Sequence, residues 1–294
     1  MTDETNAELG HSQRINWFPG HMKKAMDEVF EKLKLVDLVL EVRDARMPLG
    51  CSNPEMERRL GDKRRLVIFN KERYADPANF RAWQQHLKEA GLPFLVIDAL
   101  DRLSTKKILS TCRELLKTKR ASFERRGIRP PPMRLMVIGL PNTGKSTLIN
   151  SLKGKRTANV GDRPGITKGQ AWIIVDSGME LLDTPGIMPP RIDSDQRGLS
   201  LCAIYAIRDE IPGVFRVAQF IAQLIARQLP AEAMERYRFE EIPEHGEDVL
   251  NAAAVRYGAL KKGAEVDWNK VYAGLVNDYR KGALGRLIFE EPAP

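Results

Sequence analysis

The sequence predicts a doubly wound, mostly parallel α/β sheet followed by a small all-α C-terminal domain. Three observations carry this prediction. Short apolar runs alternate with helical segments from about Ile15 to Gly186, the pattern of strand–helix–strand units. A glycine-rich phosphate-cradling loop follows one of those runs directly. After about Asp195 the strand signals fade and apolar residues recur at helical spacing.

The strand-like runs are 35–42, 66–69, 93–97, 135–138, 171–175 and 179–182. The helical stretches beyond them are 199–204, 214–225, 231–239, 247–261 and 268–280, punctuated by Pro212, Pro230, Pro243 and Gly263. This divides the chain into a disordered arm at 1–14, an α/β domain at 15–194 and a helical domain at 195–294. With 294 residues, 43% of them apolar, there is enough material for one long or two ordinary cores. No run of 18 apolar residues occurs, so no membrane span is expected. The first residues are polar and acidic, unlike a leader, and a cytoplasmic location is expected. Three cysteines, Cys51, Cys112 and Cys202, are widely spaced with no C-x-x-C pair, so they read as reduced and a cysteine-ligated metal site is not expected.

The strongest chemistry lies in Gly139-Leu140-Pro141-Asn142-Thr143-Gly144-Lys145-Ser146. The spacing G-x-x-x-x-G-K-[ST] lets backbone N–H groups curl around phosphate oxygens, with no side chain at the glycines to obstruct them. Lys145 would reach the β- and γ-phosphates, and the Ser146 hydroxyl would bind Mg²⁺. Asn142, Thr143, Gly144 and Thr147 complete the expected phosphate contacts. The run at 135–138 supplies the preceding strand, and 146–152 begins a helix whose N-terminus favours anions.

Two further elements follow. Asp183-Thr184-Pro185-Gly186 comes after the last strand-like run, which puts Asp183 at a strand end facing the Mg²⁺ shell and lets Gly186 offer its N–H to the γ-phosphate. Between the two lies Arg163-Pro164-Gly165-Ile166-Thr167, which reads as a switch loop with Thr167 as the metal-sensing hydroxyl. The site therefore takes a nucleoside triphosphate.

Base recognition departs from pattern. The strand at 66–69 leads into Asn70-Lys71-Glu72-Arg73. GTPases carry Asn-Lys-x-Asp there, and the aspartate accepts from guanine N1 and N2, whereas Arg73 has donors only. Three readings stay open: Glu72 shifts into the role, Arg73 swings out and specificity relaxes, or another base is used. A second base-contacting loop, usually Ser-Ala, corresponds to Asp98-Ala99. The order is also reversed, because the Asn-Lys motif precedes the phosphate loop. The same pocket is then assembled from a circularly permuted chain. The basic, proline-rich stretch 117–132 reads as the linker that joins the original termini.

With these motifs the chain resembles the circularly permuted GTPases of the YlqF/RbgA (ribosome biogenesis GTPase A) family. The resemblance rests on Asn16-Trp17-Phe18-Pro19-Gly20-His21-Met22, on Asp44-Ala45-Arg46-Met47-Pro48-Leu49, on the motif order, and on Asp278-Tyr279-Arg280-Lys281-Gly282 with Leu284-Gly285. It implies a GTP-binding, GTP-hydrolysing factor in maturation of the large ribosomal subunit, with the subunit precursor and rRNA as partners. Ile187 follows Gly186 where many GTPases have a water-orienting glutamine, so free turnover should be slow and stimulated by ribosomal particles. His21 is the candidate water-orienting group by residue type and by resemblance, against a structural role at a helix start. Asn142 matches an asparagine that helps hold K⁺ in related GTPases, against a satisfied turn asparagine.

Composition agrees with a polyanionic partner. Lys and Arg number 47 against 39 acidic residues, a net +8, and Lys261, Lys262, Lys270, Arg280, Lys281 and Arg286 gather near Tyr272 and Tyr279. The rival expectation is a nucleotide-binding RNA scaffold with little hydrolysis or relaxed base specificity. A monomer meets every requirement of the sequence.

Overall fold

The computed structural model describes Ile15, residues 20–153 (His21 without its side chain), 172–261 and 265–290. Two compact units divide the described residues: those of 20–188 together with 286–290, and those of 189–285 together with Ile15. The division falls between Met188 and Pro189 rather than at 194/195, and the end of the chain from Arg286 packs with the first unit.

The first unit holds α1 (Gly20–Leu33), β1 (Leu38–Asp44), α2 (Pro54–Leu60), β2 (Arg65–Asn70), α3 (Pro77–Glu89), β3 (Phe94–Val96), α4 (Arg102–Leu115), α5 (Lys117–Glu124), β4 (Met133–Gly139), α6 (Lys145–Lys153), β5 (Ile173–Asp176) and β6 (Met179–Asp183). The six strands form one sheet in the order β3-β2-β1-β4-β6-β5. All neighbours are parallel except β5 with β6. Side chains alternate between the two faces, as the pleat requires. Leu66 and Ile68 join Leu38, Leu40, Val42 and the α4 and α6 residues Ile108, Cys112, Leu148 and Leu152 on one face. Val67 and Phe69 join Phe80, Trp83 and Leu87 of α3 on the other, closed by Ile288 from the chain end. A sheet covered on both faces is what parallel topology demands.

Charges inside β1 are paired. Arg43 is 2% exposed; its Nε donates to Glu41 Oε1 at 2.7 Å and its Nη2 to Glu57 Oε1 at 2.7 Å. Its Nη1 reaches the Pro48 carbonyl at 2.9 Å, and Arg65 donates to Glu41 Oε2 at 3.0 Å. Without such partners each buried charge would cost several kcal/mol.

Helix starts follow local chemistry. Asn53 and Asp76 cap α2 and α3, each followed by a proline at the first helical position, and Asp101 accepts from the N–H groups of Leu103 and Ser104 at the start of α4. The expected linker is helical in its first half. Lys117–Glu124 forms α5 because helix-compatible residues run unbroken up to Gly127, whose φ of 68° and the prolines after it end regular structure.

The second unit contains α7 (Asp195–Ala203), α8 (Val214–Gln228), α9 (Ala231–Tyr237), α10 (Gly246–Arg256) and α11 (Trp268–Lys281). The apolar face of α8 packs on α7, α10 and α11. α10 stops earlier than its apolar period suggests, because Gly258 turns at φ 57° and Leu260 bridges to Val266 instead. Asp278, 6% exposed, receives both Nε and Nη2 of Arg236 at 2.6 Å and the Tyr257 hydroxyl. Arg280 holds Asp209 and the carbonyls of Cys202 and Ala203. The Asp-Tyr-Arg run thus binds this unit's helices together.

Candidate nucleotide-binding site

The described residues of the phosphate-binding and base-reading motifs sit at the C-terminal edge of the parallel strands, where open α/β sheets place their ligands. β4 ends in the phosphate loop and β2 in Asn70; β3 leads to Asp98, and β6 ends in Asp183. β1 lies between β2 and β4, so the base-reading and phosphate loops emerge from strands two apart although they are distant in the sequence.

The phosphate loop is shaped by close approach. Gly139 has φ 148° and Gly144 φ 95°. A Cβ at Gly139 would strike the Val42 carbonyl, and one at Gly144 the Asn70 amide. Lys145 is 7% exposed and its Nζ donates to the Leu140 carbonyl at 2.6 Å. Burial lowers its pKa to about 8, against the pull of Asp183. An ammonium held by a single carbonyl in a nearly closed position is suited to transfer to phosphate oxygens. Ser146 and Thr147 are exposed in the first turn of α6, while Thr143 is buried with its hydroxyl on the Leu140 carbonyl at 3.0 Å.

Two ties join the base-reading segment to this loop. Asn70 Nδ2 donates to the Thr143 carbonyl at 2.9 Å, and Asn70 Oδ1 accepts from the Ala99 N–H at 2.9 Å. Lys71 Nζ donates to the Asn142 carbonyl at 2.7 Å. Lys71 and Asn142 both adopt left-handed backbone, φ 62° and 57°, a conformation that costs a non-glycine residue about 1 kcal/mol or more and collects at working sites. A cavity of about 380 Å³ opens between residues 99–102 and Thr147, Asn150 and Ser151.

Asp44, quoted only as part of a motif in the sequence, anchors this arrangement. It is fully buried at the end of β1. Its carboxylate takes Arg46 at 2.9 and 2.8 Å and Lys71 Nζ at 3.0 Å. Burial would raise this carboxyl, but Arg46 and Lys71 together hold it well below the usual carboxylate range. An aspartate closing a buried strand two residues before an arginine was the available signal.

On the γ-phosphate side, Asp183 is exposed at the end of β6. Partial desolvation raises its carboxyl and Lys145 pulls it back. Thr184 donates to the Val137 carbonyl at 2.6 Å, which ties this segment to β4. A Cβ at Gly186 would lie 2.8 Å from the Pro141 backbone, so only glycine permits the approach. Ile187 is 2% exposed and donates its N–H to the Gly139 carbonyl; its side chain belongs to the core. Thr167 lies outside the described residues, as does the side chain of His21, whose backbone falls in the first turn of α1.

On the base side, Arg73 Nη1 donates to Asp98 Oδ2 at 2.6 Å, and its guanidinium lies over the Tyr74 ring. Asp98 Oδ1 accepts from the Leu100 N–H at 3.0 Å. Of the basic residues expected to gather in the helical domain, Arg280 is committed to internal partners, Arg286 belongs to the first unit, and Lys262 is outside the described residues. Tyr279 is buried, whereas Trp268 stacks on Tyr272 at 5.9 Å with Phe215 beside it.

The sequence matches the model of a family described as 50S ribosome-binding GTPase over residues 134–239. That match starts at β4 and leaves the base-reading segment on its N-terminal side. The chain is 40% identical to ribosome biogenesis GTPase A of Bacillus pumilus (strain SAFR-032) over 278 residues, 95% of this chain and 99% of that one. It is 30% identical to mitochondrial ribosome-associated GTPase 1 of Xenopus tropicalis, over 96% of each. Among solved structures, GNP-bound YlqF from T. maritima superposes with a TM-score of 0.64 at 28% identity, covering 92% of this chain and 98% of that one.

Proposed function

The chain belongs to the ribosome biogenesis GTPase A family, and from that premise we propose how its residues run a GTP-binding, GTP-hydrolysing ribosome assembly factor. The observation that carries this reading is the pair of ties from Asn70 and Lys71 to the carbonyls of Thr143 and Asn142, which make one pocket from motifs in permuted order. Asn142, Thr143, Gly144 and Thr147 offer backbone N–H groups to the phosphates, and Lys145 exchanges the Leu140 carbonyl for β- and γ-phosphate oxygens. Gly186 offers its N–H to the γ-phosphate, while Asn70, Lys71, Asp98 and Ala99 take the base and ribose side.

The donor set at the loop mouth fits Mg²⁺. The Ser146 hydroxyl and the Asp183 carboxylate, both exposed there, are hard oxygen donors. Ser146 and Thr167 would hold the ion by their hydroxyls and Asp183 through water; bound there, Mg²⁺ neutralises charge on the phosphates. Asn142 would help hold a K⁺ beside them. Ile187, buried in the core, leaves water orientation to another group, and His21 fills that role. His21→Ala should lower particle-stimulated turnover with unchanged GDP affinity; a lowered melting temperature with normal turnover would make His21 a helix-start residue instead.

GTP orders the segments at Thr167 and Gly186, and the ordered form docks on the large-subunit precursor through rRNA. Hydrolysis releases them and lowers affinity. The Trp268–Tyr272 stack and Phe215 in the helical unit offer faces for unpaired bases. The setting is the cytoplasm and the working form a monomer. GTP turnover with and without precursor particles tests this: acceleration that Lys145→Ala abolishes supports it, and turnover indifferent to both sinks it.

A further inference from the structure

Arg73 stands where a guanine-reading carboxylate is expected, and the structure supplies a carboxylate to the same place from the other loop. Asp98 lies in the loop just after β3, 25 residues on, with its Oδ2 on Arg73 at 2.6 Å and its Oδ1 on the Leu100 N–H at 3.0 Å. Each carboxylate oxygen has two acceptor positions, so among the described residues one remains on each oxygen. Ala99, the next residue, is tied through Asn70 to the phosphate loop, which fixes the Asp98 backbone relative to the phosphates. The Asp98 side chain is 19% exposed. That exposure leaves its carboxylate within reach of a planar ligand beside the Asn-Lys loop.

We propose that Asp98 is the residue that reads guanine, accepting from N1–H and the N2 amino group, and that Arg73 is its positioning residue. The two departures then belong together: the acceptor sits on the β3 loop, and the donor that orients it sits on the Asn-Lys loop. Arg73 is always protonated, and its second contact, the Tyr74 ring at 4.8 Å, holds the guanidinium against Asp98. The inference rests on the nucleotide-pocket reading above and adds to it the source of base specificity.

Chemistry fixes the test. Xanthine keeps N1–H but carries an acceptor at C2, where guanine carries a donor, so an asparagine at 98 can accept from the first and donate to the second. Hypoxanthine lacks the C2 group. Adenine offers an acceptor at N1 and a donor at N6, a pattern the Arg73–Asp98 edge also matches in the opposite sense. Equilibrium binding of GDP, IDP, XDP and ADP with Mg²⁺ to the full chain separates these. The wild type should prefer GDP over XDP by about 100-fold, and Asp98→Asn should move that ratio towards XDP by about the same factor. Arg73→Ala should weaken GDP about tenfold without changing the order of bases, and Arg73→Lys should recover part of the loss.

Arg73→Asp alone sets two carboxylates against each other and should weaken GDP, whereas Arg73→Asp with Asp98→Ser returns the acceptor to the Asn-Lys loop and should restore it. A gain of XDP binding cannot come from misfolding, which keeps the test decisive if a variant is less stable. A GDP-to-XDP ratio unchanged in Asp98→Asn overturns the role of Asp98 while leaving the pocket intact. ADP binding as tightly as GDP in the wild type overturns guanine reading. Failure of the wild type to bind any of the four overturns the pocket reading itself.

Discussion

The phosphate side and the base side of this pocket are built from different materials. On the phosphate side the expected working groups are backbone N–H groups, a lysine and glycines whose places no other residue can take: a Cβ at Gly139 or Gly144 meets neighbouring atoms, and one at Gly186 falls 2.8 Å from the Pro141 backbone. On the base side they are side chains, and two of them, Arg73 and Asp98, differ from pattern together and pair at 2.6 Å. A backbone cradle admits no substitution without clash, whereas a side-chain pair tolerates exchange when both members change. The difference explains why one half of the site follows its motif residue by residue and the other does not.

Four perturbations probe this contrast. Asp44→Ala has the largest expected effect. It removes the partner of buried Arg46 and of Lys71, and should destabilise the fold by about 3–5 kcal/mol in urea unfolding, the usual cost of orphaning a buried charge. Lys145→Ala comes next. It should lower particle-stimulated GTP turnover at least about 100-fold with little change in melting temperature, the scale of losing one phosphate-stabilising group. Gly144→Ala tests the joint between the two sides. Its φ of 95° and the Asn70 amide in the path of a Cβ predict a loss of about 1–3 kcal/mol of stability, with weakened binding of every nucleotide regardless of base.

The smallest effect is a pH dependence. Burial holds the Lys145 ammonium at a pKa of about 8 in the nucleotide-free protein, while bound phosphates favour its charged form and raise that value. Binding therefore takes up a proton wherever the free protein has lost it, that is, above about pH 8. GDP affinity should be flat below pH 7 and fall as pH rises through 8, about tenfold by pH 9. Calorimetry in buffers of different ionisation enthalpy should register the proton uptake. Affinity unchanged to pH 9 would mean that Lys145 does not discharge near 8.

Much of the fold was legible because strands buried on both faces read as continuous apolar runs: residues 66–69 and 135–138 fall inside β2 and β4. The phosphate loop was legible because its physics is local. What escaped the sequence depends on partners chosen across the chain. Nothing near Asp98 announces Arg73, and nothing near Arg280 announces Asp209. Position along the chain places its end in the helical domain, but Leu287, Ile288 and Phe289 are buried, and the last two sit where the Arg46 carbonyl and the α3 core receive them. Glu290 finishes that return, its carboxylate accepting from the N–H groups of Leu49 and Gly50 at 2.8 and 2.6 Å. The helix α5 was hidden by the prolines and arginines that follow it.

If motifs in permuted order form one guanine-nucleotide pocket, that pocket should hydrolyse GTP on a ribosomal particle. Single-turnover hydrolysis of GTP and of ATP by the full chain, with and without large-subunit precursor particles, tests it most directly. GTP should be cleaved in clear preference to ATP, and faster with particles by about tenfold or more. Equal cleavage of the two nucleotides, or a GTP rate that particles leave unchanged, would contradict it.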